Sequence, residues 1–279
     1  MERERKPWWL YLNILGLDAP LVAVVWLFLF AKTWRVNYLP WESYVALGLI
    51  AWCLRITAKL LEAAMNGDTE STPLRHKKAL VRIAVGTAIS ALILTVLNFP
   101  LSVYFYLLVG GVLVIGYFAL SLFITKEENE ISYSKHAMGG VCVAYGTAMA
   151  AHTYLPTLGV QQMVFSREFI CFTVLCLLAS AATELWANAA KSGDVNLSAA
   201  NELSISLPAT LLGAVALVFA VQNESQLTRP FFYAILTGAA LLQILNRTRR
   251  KFDPEMVSFL TSLCLIAPAV IFEAYAVSR

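Results

Sequence analysis

Apolar residues run along this chain in long blocks separated by short polar stretches, and nine blocks are long enough, or nearly so, to cross a bilayer. They fall at roughly 10–32, 44–64, 80–98, 101–124, 136–155, 168–190, 203–221, 230–246 and 257–277. About 20 apolar residues, wound as a helix rising ~1.5 Å per residue, match the ~30 Å hydrocarbon layer. The expected fold is therefore all-α, a polytopic transmembrane bundle of about nine helices forming a single integral membrane domain over 1–279. Pro20, Pro208 and Pro268 fall inside blocks, and each removes a backbone hydrogen bond. Such kinks persist where a neighbouring helix satisfies or shields the freed carbonyl. Asn98-Phe99-Pro100 predicts a tight turn joining the third and fourth spans as an antiparallel hairpin. Gly139, Gly140, Ala144, Gly146, Ala148, Ala150 and Ala151 allow close helix contact and predict that the fifth span lies inside the bundle.

Composition agrees with the lipid setting. Only 14% of residues are charged and the mean hydropathy is +0.67, whereas a soluble domain carries about 25% charge. The net charge of +3 comes from loop anchors, with no basic stripe suited to nucleic acid. Cys53, Cys142, Cys171, Cys176 and Cys264 are scattered without CxxC spacing and read as small hydrophobes.

Lysine and arginine set the orientation, since cytoplasmic loops carry their excess. With the N-terminus inside, inner segments hold fourteen of them and outer segments five, while Arg55 and Lys59 lie within the second span. The expected location is a bacterial cytoplasmic membrane, with the N-terminus cytoplasmic and Arg279 outside.

Charged groups inside spans are costly and therefore mark candidate sites. Spacings of four and three put Arg55, Lys59 and Glu62 on one face of the second helix, towards its cytoplasmic end. Two readings stay open, headgroup snorkelling and the wall of a polar cavity. Glu184 and Asn188 sit one turn apart at the matching end of the sixth span, with Lys191 and Asp194 beyond. The first inner loop adds Asp68, Arg75 and Lys78. The two helix ends are expected to face each other across a vestibule. There Glu62, Glu184, Asn188, Asp68 and Asp194 are the candidate Mg²⁺ ligands, and Arg55, Lys59, Arg75 and Lys78 the candidate diphosphate ligands. An ordinary solvated loop remains the competing reading. Asp18, just before Ala19-Pro20, reads as a capping or kink-associated residue. His152 reads as a hydrogen-bonded helix contact, and Arg247–Lys251 as a positive-inside anchor. There is no Gly-rich phosphate loop and no convincing Ser–His–Asp set.

Leu17-Asp-Ala-Pro-Leu-Val-Ala-Val-Val-Trp26, the stretch from Trp52 to Ala63, and Leu263-Cys-Leu-Ile-Ala-Pro268 carry a further signal. With the nine-span plan, they resemble the UbiA-type intramembrane prenyltransferases, in a divergent bacterial branch. The resemblance implies a helical bundle with a cavity open laterally to lipid. It also implies transfer of a prenyl group from a prenyl diphosphate to a lipid-soluble acceptor, with two Asp-rich motifs holding Mg²⁺. Carried over, the first motif falls on Ala58-Lys59-Leu60-Leu61-Glu62, where Ala58 replaces one carboxylate, and the second on Glu184 and Asn188, which keeps one acidic group. With half the ligands gone and Lys59 alongside, metal-dependent transfer is expected to be weak or absent. Two main functions compete: an atypical prenyltransferase, in which Tyr104, Tyr117 or Tyr145 faces the allylic cation, and a non-catalytic isoprenoid- or lipid-binding protein or assembly subunit. A transporter ranks last, because the prolines are not paired as inverted repeats require.

Overall fold

A computed structural model describes residues 15–65, 77–123, 133–155, 159–192, 195–222 and 228–277. Every regular element among the described residues is helical: α1 (Asp18–Thr33), α2 (Trp41–Met65), α3 (Lys77–Asn98), α4 (Val103–Phe123), α5 (Tyr133–His152), short α6 (Val160–Val164), α7 (Arg167–Ser192), α8 (Val195–Gln222), α9 (Arg229–Thr248), α10 (Pro254–Ile266) and α11 (Pro268–Val277). Six segments are long and apolar enough to span a bilayer: α2, α3, α4, Arg167–Ala187 of α7, Glu202–Gln222 of α8, and Glu255–Ala276, which joins α10 to α11. The chain is thus a multi-pass, all-helical membrane protein. α5 and α9 are more polar than these for a physical reason. They bury His136, Thr147, His152 and Asn246 against other helices, so they need no apolar coat all round.

α1 lies at the centre, packed on α2, α5, α9, α10 and α11. Its Trp26 ring stacks on Phe172 of α7 at 4.3 Å between centroids and meets Phe231 of α9 edge-on at 5.5 Å. Phe30, one turn along, touches the same two rings. In lipid, such interdigitation supplies the association energy that water exclusion supplies elsewhere. α5 packs deeply, as its small residues predict. A Cβ at Gly140 would sit 2.9 Å from the Leu177 backbone nitrogen, so the α5 and α7 backbones meet there. Cys171, Cys176 and Cys264 are buried and all five thiols are free.

The prolines resolve differently. Pro20 is the third residue of α1, in the first turn where its missing N–H is not required, so it makes no mid-helix kink. Pro208 lies within α8. Pro268 follows a break between α10 and α11, and the Trp26 indole donates to the Leu265 carbonyl at that break over 2.7 Å.

The expected α3–α4 hairpin does not form as a packed pair. α3 packs on α2 and α4 on α5, and the two helices splay apart after the turn. The Phe99 ring lies 6.0 Å from Tyr154, which follows α5. An apolar crevice of ≈ 280 Å³ opens between them, lined by Leu47, Ile50, Thr95, Leu107 and Met149 among others. The outward faces of both helices, with Leu97, Leu108 and Ile115, are exposed as lipid-facing surfaces are.

Candidate functional site

The polar centre forms where the first turn of α1 crosses the middle of α2. Gly16 takes φ 72°, a left-handed conformation that glycine adopts without strain, and turns the backbone into α1. That turn lies directly on the charged face of α2. A Cβ on Gly16 would sit 3.1 Å from Arg55 Cγ and 3.9 Å from Lys59 Nζ. The Trp52 indole donates to the Leu15 carbonyl at 2.9 Å, fixing the turn one helical repeat before Arg55.

Arg55 pairs with α1 while its side chain stays more than a third exposed. Its Nη2 donates to Asp18 Oδ2 at 3.2 Å, and Ser262 Oγ of α10 donates to the same oxygen at 3.3 Å. Asp18 is therefore no cap. Leu17 holds the capping position without a side-chain bond, and the buried Asp18 carboxylate faces Arg55 and Ser262 instead. A carboxylate in the first helical turn is favoured by the macrodipole, and pairing with Arg55 offsets its desolvation. Asp18 Oδ1 and Arg55 Nε are buried without a hydrogen-bond partner. Lys59 stands within electrostatic reach of Arg55, Asp18 and Glu62. Tyr117 of α4 lies within electrostatic reach of Arg55 and Glu62, with its edge over Gly139 of α5.

The remaining predicted ligands part company. Glu62 is exposed near the C-terminal end of α2, and Lys78 is exposed in the first turn of α3. Asp68, Arg75 and Asp194 lie outside the described residues, as does the side chain of Asn188. Glu184 is engaged by α5: His136 Nε2 stands 2.8 Å from Glu184 Oε2, and His136 Nδ1 lies 2.7 Å from Ser180 Oγ. Ser180, His136 and Glu184 thus stand in a row, with His136 buried and the other two half-buried. Its members come from two helices, so no local motif announces it. The one sequence signal is the i, i+4 spacing of Ser180 and Glu184 on a face that also carries small residues. α5 packs against both α2 and α7.

Mg²⁺ takes near-octahedral oxygen ligation, and the described residues do not fit it. Glu62 has Lys59 beside it, Glu184 is held by His136, and no group of three His, Cys, Asp or Glu side chains gathers among the described residues. The Arg55–Lys59 pair suits an anion instead, because Arg55 Nε is a donor without an acceptor and the Gly16 turn leaves backbone rather than side chain over Lys59.

Two other expectations resolve plainly. His152 is a helix contact, with Nδ1 2.7 Å from Tyr106 Oη and its ring edge-on to Trp34. Arg249, within the stretch read as a positive-inside anchor, turns into the protein while Arg250 and Lys251 are exposed. Arg249 is buried, bonded to Asn246 and set over the Trp186 ring, while Trp186 and Asn246 tie α7 to α9. Burial pushes the Arg249 guanidinium below its ordinary range, and Glu202 opposes that shift. Among the tyrosines, Tyr104 is exposed towards lipid, and the Tyr145 hydroxyl donates to the Tyr106 carbonyl at 3.0 Å.

No family model, curated protein or solved structure matches this chain.

Proposed function

We propose that this chain is a UbiA-type membrane protein that crosses a bacterial cytoplasmic membrane nine times and binds the phosphate end of an isoprenoid lipid at Arg55 and Lys59. The nine crossings are α1, α2, α3, α4, α5, α7, α8, α9 and the α10–α11 pair, with the N-terminus inside. The observation that carries the binding reading is the Arg55–Lys59 pair under the Gly16 turn, with Arg55 Nε lacking an acceptor. One unit charge ~4 Å from another at an effective dielectric of ~20 gains about 4 kcal/mol. Asp18 and Glu62 subtract from that attraction, so the affinity is tuned rather than maximal.

Prenyl transfer is the second reading, and Tyr117 beside the charged centre favours it, since an aromatic face stabilises a cation. Against it stand the engagement of Glu184 by His136 and the single carboxylate at Ala58–Glu62. Binding of geranylgeranyl diphosphate to the protein in nanodiscs, with Mg²⁺ and with a chelator, separates the two readings. Metal-independent binding that falls about tenfold in Lys59→Gln, roughly 1.4 kcal/mol, is the expected result. Unchanged binding in that variant overturns the phosphate site. Rapid Mg²⁺-dependent release of diphosphate to an acceptor replaces the binding reading with catalysis. For orientation, a reporter inserted between α1 and α2 is expected to read as outside and one between α4 and α5 as inside.

A further inference from the structure

We infer that the isoprenoid tail lies in the lipid-facing groove between α1 and α2, outside the bundle, and not in the crevice between α2, α3, α4 and α5. This rests on the phosphate reading above. The groove is shallow and open to lipid along its length, and is walled by Pro20 and Val24 of α1 and by Tyr44, Gly48, Leu49 and Trp52 of α2. Gly48 forms its floor. A Cβ there would stand 3.5 Å from Val24 and 3.8 Å from Pro20, so any larger side chain would fill the channel between the helices.

Helical phase connects the groove to the cations. Gly48, Trp52, Arg55 and Lys59 are spaced four, three and four apart, which makes one continuous stripe along α2. The groove's inner end at Leu17 and Trp52 abuts the Gly16 turn, and that turn lies on Arg55 and Lys59. A tail anchored at Lys59 and running outward reaches Gly48 after about 16 Å, from eleven residues at ~1.5 Å each. The crevice occupies the other face. Its α2 wall is Ser43, Ala46, Leu47 and Ile50. Lys59 follows Ile50 by nine residues, and at ~100° per residue that places them about half a turn apart. A phosphate held by Lys59 and an apolar chain in the groove satisfy charge and hydrophobicity on one helix face. The crevice cannot do so without passing the chain around α2.

The test uses geranylgeranyl diphosphate carrying a diazirine at the tail end, photolysed on the full-length protein in nanodiscs, with labelled residues mapped by mass spectrometry. Labels at Tyr44, Val45 or Leu49 that are lost in Lys59→Gln are expected. Labels at Ile50, Leu107 or Met149 that are lost in the same variant overturn the tail placement but leave the phosphate reading standing. Labelling at any position that persists in Lys59→Gln overturns both. As an independent measure, Gly48→Phe is expected to weaken the long-chain diphosphate about tenfold while leaving dimethylallyl diphosphate unchanged. Val45→Trp, on the outer rim and demanding no repacking, is expected to act in the same direction. Unchanged long-chain binding in both variants assigns the groove to an ordinary bilayer lipid chain or to the N-terminal residues, and overturns the inference.

Discussion

His136 on α5 stands 2.8 Å from Glu184 on α7, and one turn further along α5 Gly140 rests against the α7 backbone. The close approach and the polar contact require each other. A Cβ at Gly140 would meet backbone atoms at 2.9 and 3.0 Å, and backbone cannot swing aside as a side-chain tip does. Gly140→Ala is therefore expected to destabilise the protein in detergent by about 1–3 kcal/mol, as overpacking does. His136→Ala removes only polar contacts and is expected to cost less, roughly 0.6–1.7 kcal/mol on the scale of interhelical bonds in membrane proteins. Denaturant unfolding of the two variants checks the order, and an equal or reversed ranking contradicts the packing account.

Asp18 and Arg55 are expected to behave as a coupled pair. Asp18→Ala leaves the partly exposed Arg55 charge without its carboxylate, whereas Asp18→Ala combined with Arg55→Met removes both members. The double variant is expected to be more stable than the sum of the single losses by about 0.5–1 kcal/mol, the low end of the range for residues in contact because Arg55 is partly exposed. Additive losses would show that the 3.2 Å contact carries no energy.

Trp26 holds two roles, one in its ring and one in its indole nitrogen. Trp26→Phe keeps an aromatic surface against Phe172 but leaves the Leu265 carbonyl without its donor at the α10–α11 break. An unsatisfied buried carbonyl costs about 1–3 kcal/mol. The expected outcome is a loss of that size, with faster hydrogen exchange confined to residues around Pro268. Exchange unchanged at that break would dissociate Trp26 from it.

Restoring the missing carboxylate tests the motif alignment directly. Ala58→Asp with Lys59→Arg adds an anionic ligand and keeps a cation for phosphate, so Mg²⁺ affinity measured by titration calorimetry is expected to rise. The same affinity as the unaltered chain would mean that Ala58 does not occupy a ligand position.

The sequence alone determined whatever depends on length, hydropathy and helical phase. Runs of apolar residues specify helices in lipid because only an internally bonded backbone is tolerated there. The stripe of Arg55, Lys59 and Glu62 follows from their spacing, and the burial of α5 follows from its glycines and alanines. The His152 contact was legible too, since an isolated histidine in an apolar run needs a partner. Tertiary structure decided which partner each polar group takes. Arg55 bonds to Asp18, 37 residues away, and Ser262 joins the same carboxylate from 244 residues away. Nothing local encodes either distance. The splay of α3 and α4 also escaped the sequence, because the Asn98–Pro100 turn fixes a reversal of direction and not the face each helix then presents. Lipid accepts either face equally. The choice fell to the small-residue surface of α5 and to the packed face of α2, where side-chain complementarity rather than hydrophobicity sets the neighbours.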